Sequence, residues 1–88
     1  MSYTFRFSDD FREDVTFHKK TGNKSVVSKI EKLIKEIGVT PFTGTGKPEQ
    51  LKYDLSGKWS RRINKEHRLV YKVKDKIITI LSAKGHYD

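Results

Sequence analysis

Residues 49–84, EQLKYDLSGKWSRRINKEHRLVYKVKDKIITILSAK, decide the fold of this chain. They contain four runs of aliphatic, aromatic and β-branched residues, separated by short polar turns. The runs cover residues 49–55, 59–63, 67–73 and 77–84. This spacing predicts an antiparallel meander of four strands. The last run is almost wholly apolar at 77–81, which predicts a central strand that is buried on both faces.

Two helices are predicted on the N-terminal side of the meander. Alternating aromatic residues at 3–7 indicate a short first strand. Ser8 follows as a cap for the first helix, which should end near Gly22, and Asn23 can cap a second helix that ends at Gly38. The apolar residues of the second helix recur every three or four positions, at Val26, Val27, Ile30, Leu33, Ile34 and Ile37. The short link between the helices predicts an antiparallel helix hairpin.

The stretch between the helices and the meander, residues 40–48, contains two prolines and two glycines, which is typical of a structured loop. The order of elements is therefore β-α-α-β-β-β-β, in a single domain that spans residues 1–88. We predict an α+β fold in which an antiparallel sheet carries the helix hairpin on one face. The other face is left free to meet a partner.

The charge of the chain points to a polyanionic partner. Lys and Arg number 19 against 11 Asp and Glu, and residues 45–88 hold 11 of the basic and only 5 of the acidic residues. A cationic half on so short a chain favours nucleic acid first, an acidic protein second and an anionic membrane surface third. A charge that merely keeps the protein soluble is the remaining interpretation.

Several classes of site are excluded by what the sequence lacks. The chain has no cysteine, which excludes disulfides, thiol nucleophiles and zinc sites of the CxxC kind. No set of His, Asp and Glu has metal-ligand spacing, and the Gly-rich loop lacks the spacing of a phosphate-binding P-loop. No apolar run is long enough for a membrane span or a signal peptide, so we expect a cytoplasmic protein. Metal-free chemistry on a phosphodiester remains reasonable.

Three histidines are candidates for proton transfer. His86 directly follows the last predicted strand and is either an aimed side chain or part of a frayed terminus. His67 is more typical of a packed strand residue. His18 is expected to be a surface or partly buried helix residue.

Glu49 and Arg68 are the other candidates. Glu49 lies where the loop becomes a strand, and there a carboxylate can act as a base or pair with Lys47 or Lys52. Strict alternation would place Glu49 on the core face with Leu51, unless the chain is re-aimed by a bulge or a twist. Arg68 should point away from the apolar face, where it can hold a phosphate or simply be solvated.

Four stretches of this sequence closely resemble the YoeB/Txe toxins of bacterial toxin–antitoxin systems, which belong to the RelE superfamily. They are TPFTGTGKPEQLK at 40–52, LSGKWSRRI at 55–63, EHRLVY at 66–71 and HY at 86–87. The resemblance implies a microbial-RNase-like fold and cleavage of mRNA in the A site of the 30S ribosomal subunit. It also implies a cognate antitoxin of the YefM/Axe kind, repression of operator DNA only together with that antitoxin, and possible homodimers.

Position by position, the resemblance implies four catalytic residues. Glu49 would be the general base, Arg68 would stabilise the phosphate, His86 would be the general acid, and Tyr87 would orient or stack on the substrate nucleotide. The expected ends are a 2′,3′-cyclic phosphate and a 5′-hydroxyl, with no metal or other cofactor. The residues expected to contact RNA are Lys47, Lys52, Arg61, Arg62 and Lys84.

The chain departs from the family pattern at two positions. Gly85 stands where some members carry an aromatic residue, and Asp88 extends the chain beyond Tyr87. Two other functions stay open at this point. The first is a non-catalytic protein that blocks translation by occupying the A site. The second is a DNA-binding repressor, for which the sequence offers no recognition helix.

Overall fold

The computed structural model describes residues 3–51 and 57–85. Within them the chain forms two helices and five strands in the predicted order. The elements are β1 (Thr4–Phe7), α1 (Asp9–Lys20), α2 (Lys24–Ile37), β2 (Glu49–Gln50), β3 (Lys58–Arg62), β4 (Arg68–Lys74) and β5 (Ile77–Ser82). The strand predicted at 49–55 is shorter than expected, because Leu51 already lies outside it; residues 52–56 fall outside the described part of the chain.

The five strands form one sheet in the order β1-β5-β4-β3-β2. Strands β2 to β5 pair antiparallel, as the meander predicts. β1, however, pairs parallel with β5, from Thr4 beside Ile77 to Phe7 beside Ile80, so the sheet is mixed rather than wholly antiparallel. The helix hairpin carries the chain across the sheet, from β1 at one edge to β2 at the other.

β4, not β5, is the central strand, which corrects the sequence-based expectation. β5 is buried on one face only. Its residues Ile78 and Ile80 have no exposed surface, whereas Ile77 and Thr79 on the other face are partly exposed. An apolar run alone therefore overstated the burial of this strand, because period-two alternation places half of its side chains on the open face.

The helix hairpin packs on the sheet face that carries Leu69, Tyr71, Ile78 and Ile80. Ser8 caps α1 as predicted, since its hydroxyl accepts from the Phe11 N–H at 3.1 Å. The buried stripe of α2 consists of Val26, Ile30, Leu33 and Ile37, each at most 3% exposed. Burial of each such side chain contributes about 1.5–3 kcal/mol relative to exposure. The opposite sheet face carries no helix among the described residues.

The turn between β4 and β5 is strained. Its two central residues, Asp75 and Lys76, have φ of 51° and 68°, as a two-residue type I′ hairpin turn requires. Side chains with a Cβ are disfavoured in this left-handed region by about 1–2 kcal/mol.

We predict that Lys76→Gly raises the free energy of unfolding by about 0.5–1 kcal/mol, because glycine relieves the left-handed strain. The substitution also removes the ammonium that lies 5.2 Å from the centre of the Tyr3 ring. Lys76→Ala is the matched control, since it removes the same ammonium and keeps the Cβ. Urea denaturation should rank glycine above wild type and alanine below it. A glycine variant no more stable than the alanine variant would contradict the prediction.

Neither helix in the described part of the chain is long and apolar enough to cross a membrane.

Candidate active site

Glu49 and Arg68 meet on the open face of the sheet. Glu49 lies on β2 opposite Ser60, and Arg68 opens β4 opposite Arg62. The Glu49 Oε2 atom is 4.0 Å from Arg68 Nη1. The Glu49 side chain is 69% exposed and that of Arg68 only 19%. The pair therefore joins an accessible carboxylate to a guanidinium that the sheet holds in place.

A tight turn before β2 explains why Glu49 faces the open side. Gly46 and Lys47 have φ of 86° and 52°, so the chain reverses over two consecutive left-handed residues. The Gly46 carbonyl accepts from the Arg62 N–H at 2.7 Å, which pins this turn onto β3. A Cβ at Gly46 would lie 3.0 Å from the Arg62 carbonyl oxygen, so only glycine fits without a shift. The core-facing position that strict alternation suggests for Glu49 is therefore wrong.

Arg61 is buried, although the sequence analysis predicts that it contacts RNA. It has no exposed surface, because it points into the helix side of the sheet beneath the loop at 40–46. Its guanidinium donates to four groups of that region and to one phenol. The acceptors are the carbonyls of Thr40, Thr43 and Thr45, the Glu36 carboxylate and the Tyr71 hydroxyl. Arg61 therefore holds the loop that leads to Glu49, and the prediction of an RNA contact is wrong.

The groups around Arg61 complete the loop anchor. The Glu36 carboxylate also accepts from the Thr45 N–H. That backbone bond, together with Arg61, lowers the pKa of Glu36 below its ordinary value. The Tyr71 hydroxyl donates to the Pro41 carbonyl at 2.6 Å, and burial raises the pKa of this phenol. The loop is thus fastened to α2 and to β4.

The other predicted RNA contacts separate into two groups. Arg62 is exposed beside Arg68, and Lys47 is exposed in the turn that precedes Glu49. Lys84 lies elsewhere, with its Nζ atom 4.0 Å from the centre of the Phe17 ring on α1. Lys52 falls outside the described residues.

A row of cations on the open face was not singled out from the sequence. Lys72 on β4 lies in register between Lys58 on β3 and Thr79 on β5, and Thr79 is in register with Arg6 on β1. We call Arg6, Lys58 and Lys72 the basic row. Two members of the row, Arg6 and Lys72, line a cavity of about 180 Å³ together with Lys74. On β4, Lys72 and Lys74 alternate with Tyr71 and Val73, which face the helices. This alternation is the sequence signal that places the two lysines on the open face.

The chain leading to the C-terminus is bound directly beside Arg68. The Gly85 carbonyl accepts from the Arg68 N–H at 2.8 Å, and the Gly85 N–H donates to Nδ1 of His67 at 3.0 Å. His86 and Tyr87 follow Gly85 in the sequence and lie outside the described residues. The His67 side chain, directly before β4, is only 12% exposed, and burial is the main cause that lowers its pKa.

His18 is fully buried, which corrects the expectation of a surface or partly buried residue. It follows Phe11 by two helical turns, so the same side of α1 presents both residues to the sheet. Its Nε2–H donates to the Ala83 carbonyl at 2.8 Å, and its ring lies 4.7 Å from the His67 ring, centre to centre. No group of His, Cys, Asp and Glu within residues 3–51 and 57–85 has the geometry of a metal site.

Comparisons with known proteins identify the family. The model of the YoeB-like toxins of bacterial type II toxin–antitoxin systems matches residues 7–87. The toxin YoeB of Escherichia coli K12 is 48% identical over 81 residues, which cover 92% of this chain and 95% of that toxin.

Solved structures agree in both sequence and fold. The YoeB dimer from Staphylococcus aureus superposes with a TM-score of 0.86 at 45% identity, covering 97% of this chain and 98% of that one. YoeB in a YoeB–YefM complex from the same organism has a TM-score of 0.83 at 46% identity, with the same coverage. The resemblance and the fold class inferred from the sequence are confirmed. This chain belongs to the YoeB family of toxins of bacterial type II toxin–antitoxin systems.

Proposed function

We propose that this toxin is a ribosome-dependent endoribonuclease that cuts mRNA in the A site and so stops translation. The observation that carries the proposal is the pairing of Glu49 with Arg68 at 4.0 Å on the open sheet face. An accessible carboxylate beside a guanidinium held by the sheet provides a base and an anion-stabilising group for one phosphodiester. Gly85, bonded to the Arg68 backbone, brings the chain to this point just before His86.

The proposed reaction needs no external nucleophile. Glu49 takes the proton from a ribose 2′-OH, whose oxygen attacks the adjacent phosphorus. Arg68 stabilises the negative charge that develops on the phosphate oxygens. The bond from phosphorus to the 5′-oxygen breaks, and His86 protonates the leaving oxygen. The products are a 2′,3′-cyclic phosphate and a 5′-hydroxyl. Tyr87 orients or stacks on the nucleotide, and no metal takes part.

The roles of His86 and Tyr87 rest on the family resemblance, since both residues lie outside the described part of the chain. Lys47 and Arg62 are proposed to contact the RNA backbone near the scissile phosphate, because both are exposed close to Glu49 or Arg68. Lys52 is proposed for the same role from the resemblance alone. Lys84, whose ammonium lies over the Phe17 ring, is proposed as a further RNA contact.

The decisive experiment incubates the purified toxin with ribosomes that carry a defined mRNA in a known register. We expect one cut within the A-site codon. The downstream fragment should accept phosphate from a polynucleotide kinase without prior phosphatase treatment, as a 5′-hydroxyl does. The same mRNA without ribosomes should be cut far more slowly. Inhibited translation with an intact mRNA would refute the nuclease and favour a protein that merely occupies the A site.

The basic row provides a prediction about ribosome binding. Lys72→Gln should weaken binding and reduce the slope of log affinity against log salt concentration by about 1, as expected for one lost phosphate contact. The matched control is Lys32→Gln, which removes an exposed lysine of α2. Binding titrations at several salt concentrations measure the effect. Equal slopes for the two variants would show that the row does not meet RNA.

We also propose the partners. The toxin in the Staphylococcus aureus structures is bound to YefM in one case and forms a dimer in another. This chain is accordingly proposed to be neutralised in the cytoplasm by a YefM/Axe-type antitoxin, to reach operator DNA only in that complex, and to be able to form a homodimer. Co-expression with the antitoxin of its own operon should relieve growth arrest. Light scattering of the toxin alone and of the complex should give the stoichiometries.

A further inference from the structure

Gly85 is held at both of its backbone polar groups by two consecutive residues. Its N–H donates to His67 Nδ1 at 3.0 Å, and its carbonyl accepts from the Arg68 N–H at 2.8 Å. The glycine has a φ of 75°, a conformation that side chains with a Cβ rarely adopt. This two-point grip sets where the chain leaves the sheet, one residue before His86.

Only a neutral imidazole can make the first of these bonds. An Nδ1 atom that accepts a hydrogen bond has its lone pair free, so the proton of neutral His67 resides on Nε2. Protonation of the ring would turn Nδ1 into a donor facing the donor N–H of Gly85. The bond would then be replaced by a repulsive contact.

The surroundings of His67 favour the neutral ring. Its Nε2 atom is 3.7 Å from a carboxylate oxygen of Glu66, which is 81% exposed and favours the charged form only weakly. Burial, the His18 ring from α1 and the ammonium of Lys84 all lower the pKa of His67, whereas Glu66 and Asp14 of α1 raise it. Together these groups lower the pKa of His67 below its ordinary value.

His18 and Asp14 support the grip from the other side. The Nε2–H of His18 donates to the Ala83 carbonyl at 2.8 Å, and Asp14 Oδ2 accepts from the Ala83 N–H at 2.9 Å. Among the described residues, no group bonds to His18 Nδ1. α1 thus holds Ala83, while His67 and the first residue of β4, Arg68, hold Gly85.

The geometry points to His67 as a positioning residue: its neutral ring, backed by His18, holds the backbone of Gly85 against Arg68, and protonation of His67 loosens that hold. This inference rests on the proposed nuclease function. His67 does not touch the substrate; it acts through the backbone of Gly85.

The sign of the pH dependence follows from the lowered pKa of His67. The unfolded ring binds its proton near its ordinary value of 6.5, and the folded ring does so only at lower pH. The stability that the grip contributes is therefore complete above the ordinary value and is lost as the pH falls through the lowered one.

A structural test follows the Gly85 amide and the His67 ring nitrogens by NMR in the purified chain. In the wild type we expect the ring to be protonated at Nε2 and the Gly85 amide to exchange slowly. Both signatures should disappear together as the pH falls. His67→Asn places a non-titrating oxygen near the position of Nδ1, and should keep the amide protected at every pH. His67→Ala should leave it unprotected. Equal protection in the alanine variant and the wild type would overturn the proposal.

The functional test measures cleavage on programmed ribosomes with the same variants. His67→Ala should lower kcat by about 10–100-fold with little change in KM, since the loss is one of alignment. His67→Asn should restore most of the rate, and its rate relative to wild type should rise as the pH falls. An alanine variant that cleaves like wild type would refute the positioning role. If the wild type itself does not cut mRNA, the proposed function fails, while the NMR result still decides whether His67 holds Gly85.

Discussion

Glu49→Gln is expected to lower the rate of mRNA cleavage on the ribosome by about 10²–10⁴-fold, the usual contribution of a general base. Glutamine has the same shape but cannot take the proton from the 2′-OH. The Glu49 side chain is 69% exposed, so its replacement should change the free energy of unfolding by no more than about 0.5 kcal/mol. The loss should therefore appear in kcat for a protein that remains folded and still binds ribosomes.

The control for Glu49 is Glu31→Gln, which makes the same chemical change at an exposed position of α2. It should leave cleavage unchanged. Arg68→Ala should lower the rate by about 10²–10³-fold, as expected when a group that stabilises the developing charge is lost. Single-turnover rates with saturating ribosomes separate these effects from binding. A Glu49→Gln variant within about threefold of wild type would mean that this carboxylate is not the base.

The second large effect is on stability. Arg61→Met is expected to lower the free energy of unfolding by about 3 kcal/mol, because methionine removes the fully buried donor that bonds three loop carbonyls, the Glu36 carboxylate and the Tyr71 hydroxyl. The guanidinium is fully buried, so water cannot replace the lost bonds without opening the loop at 40–46. For a domain with a total stability of about 5–15 kcal/mol, this is a substantial fraction.

The neighbouring arginine provides the control. Arg62→Met makes the same substitution one residue later, at an exposed position, and should change stability by no more than about 0.5 kcal/mol. Urea denaturation of both variants measures the difference. Glu36→Gln combined with Arg61→Met should cost less than the two single changes added, because the residues share an ion pair at 2.9 Å. Equal stabilities of the two arginine variants would contradict the proposed anchor.

The two arginines show how far strand alternation can be used. Arg61 and Arg62 are adjacent in the sequence, and strand geometry requires that they point to opposite faces. Arg61 alternates with the apolar residues Trp59 and Ile63, which indicates the core face for Arg61, but an arginine is rarely buried and the prediction of an RNA contact did not use this signal. The structure assigns that place to Arg61 because Glu36, Tyr71 and the carbonyls of the loop at 40–46 converge there.

The placements of Glu49 and His18 depend on features that a local pattern does not contain. Alternation counted from Leu51 suggests the core face for Glu49 unless the chain is re-aimed, and the left-handed residues Gly46 and Lys47 that re-aim it cannot be recognised from a period-two pattern. His18 was expected near the surface because lysines follow it. Its partners, Ala83 and His67, are distant in the sequence and are brought to it only by folding.

The sequence by itself determined the identity and order of the helices and strands, the antiparallel meander, the cationic character of the C-terminal half and, through its motifs, the family. These properties depend on hydrophobic period, turn residues and local composition, all of which are written along the chain. Only the tertiary structure decided that β1 joins β5 in parallel, that Arg61 anchors a loop and that Glu49 and Arg68 lie 4.0 Å apart. Each of these depends on contacts between residues far apart in the sequence, and such contacts exist only once the sheet has formed.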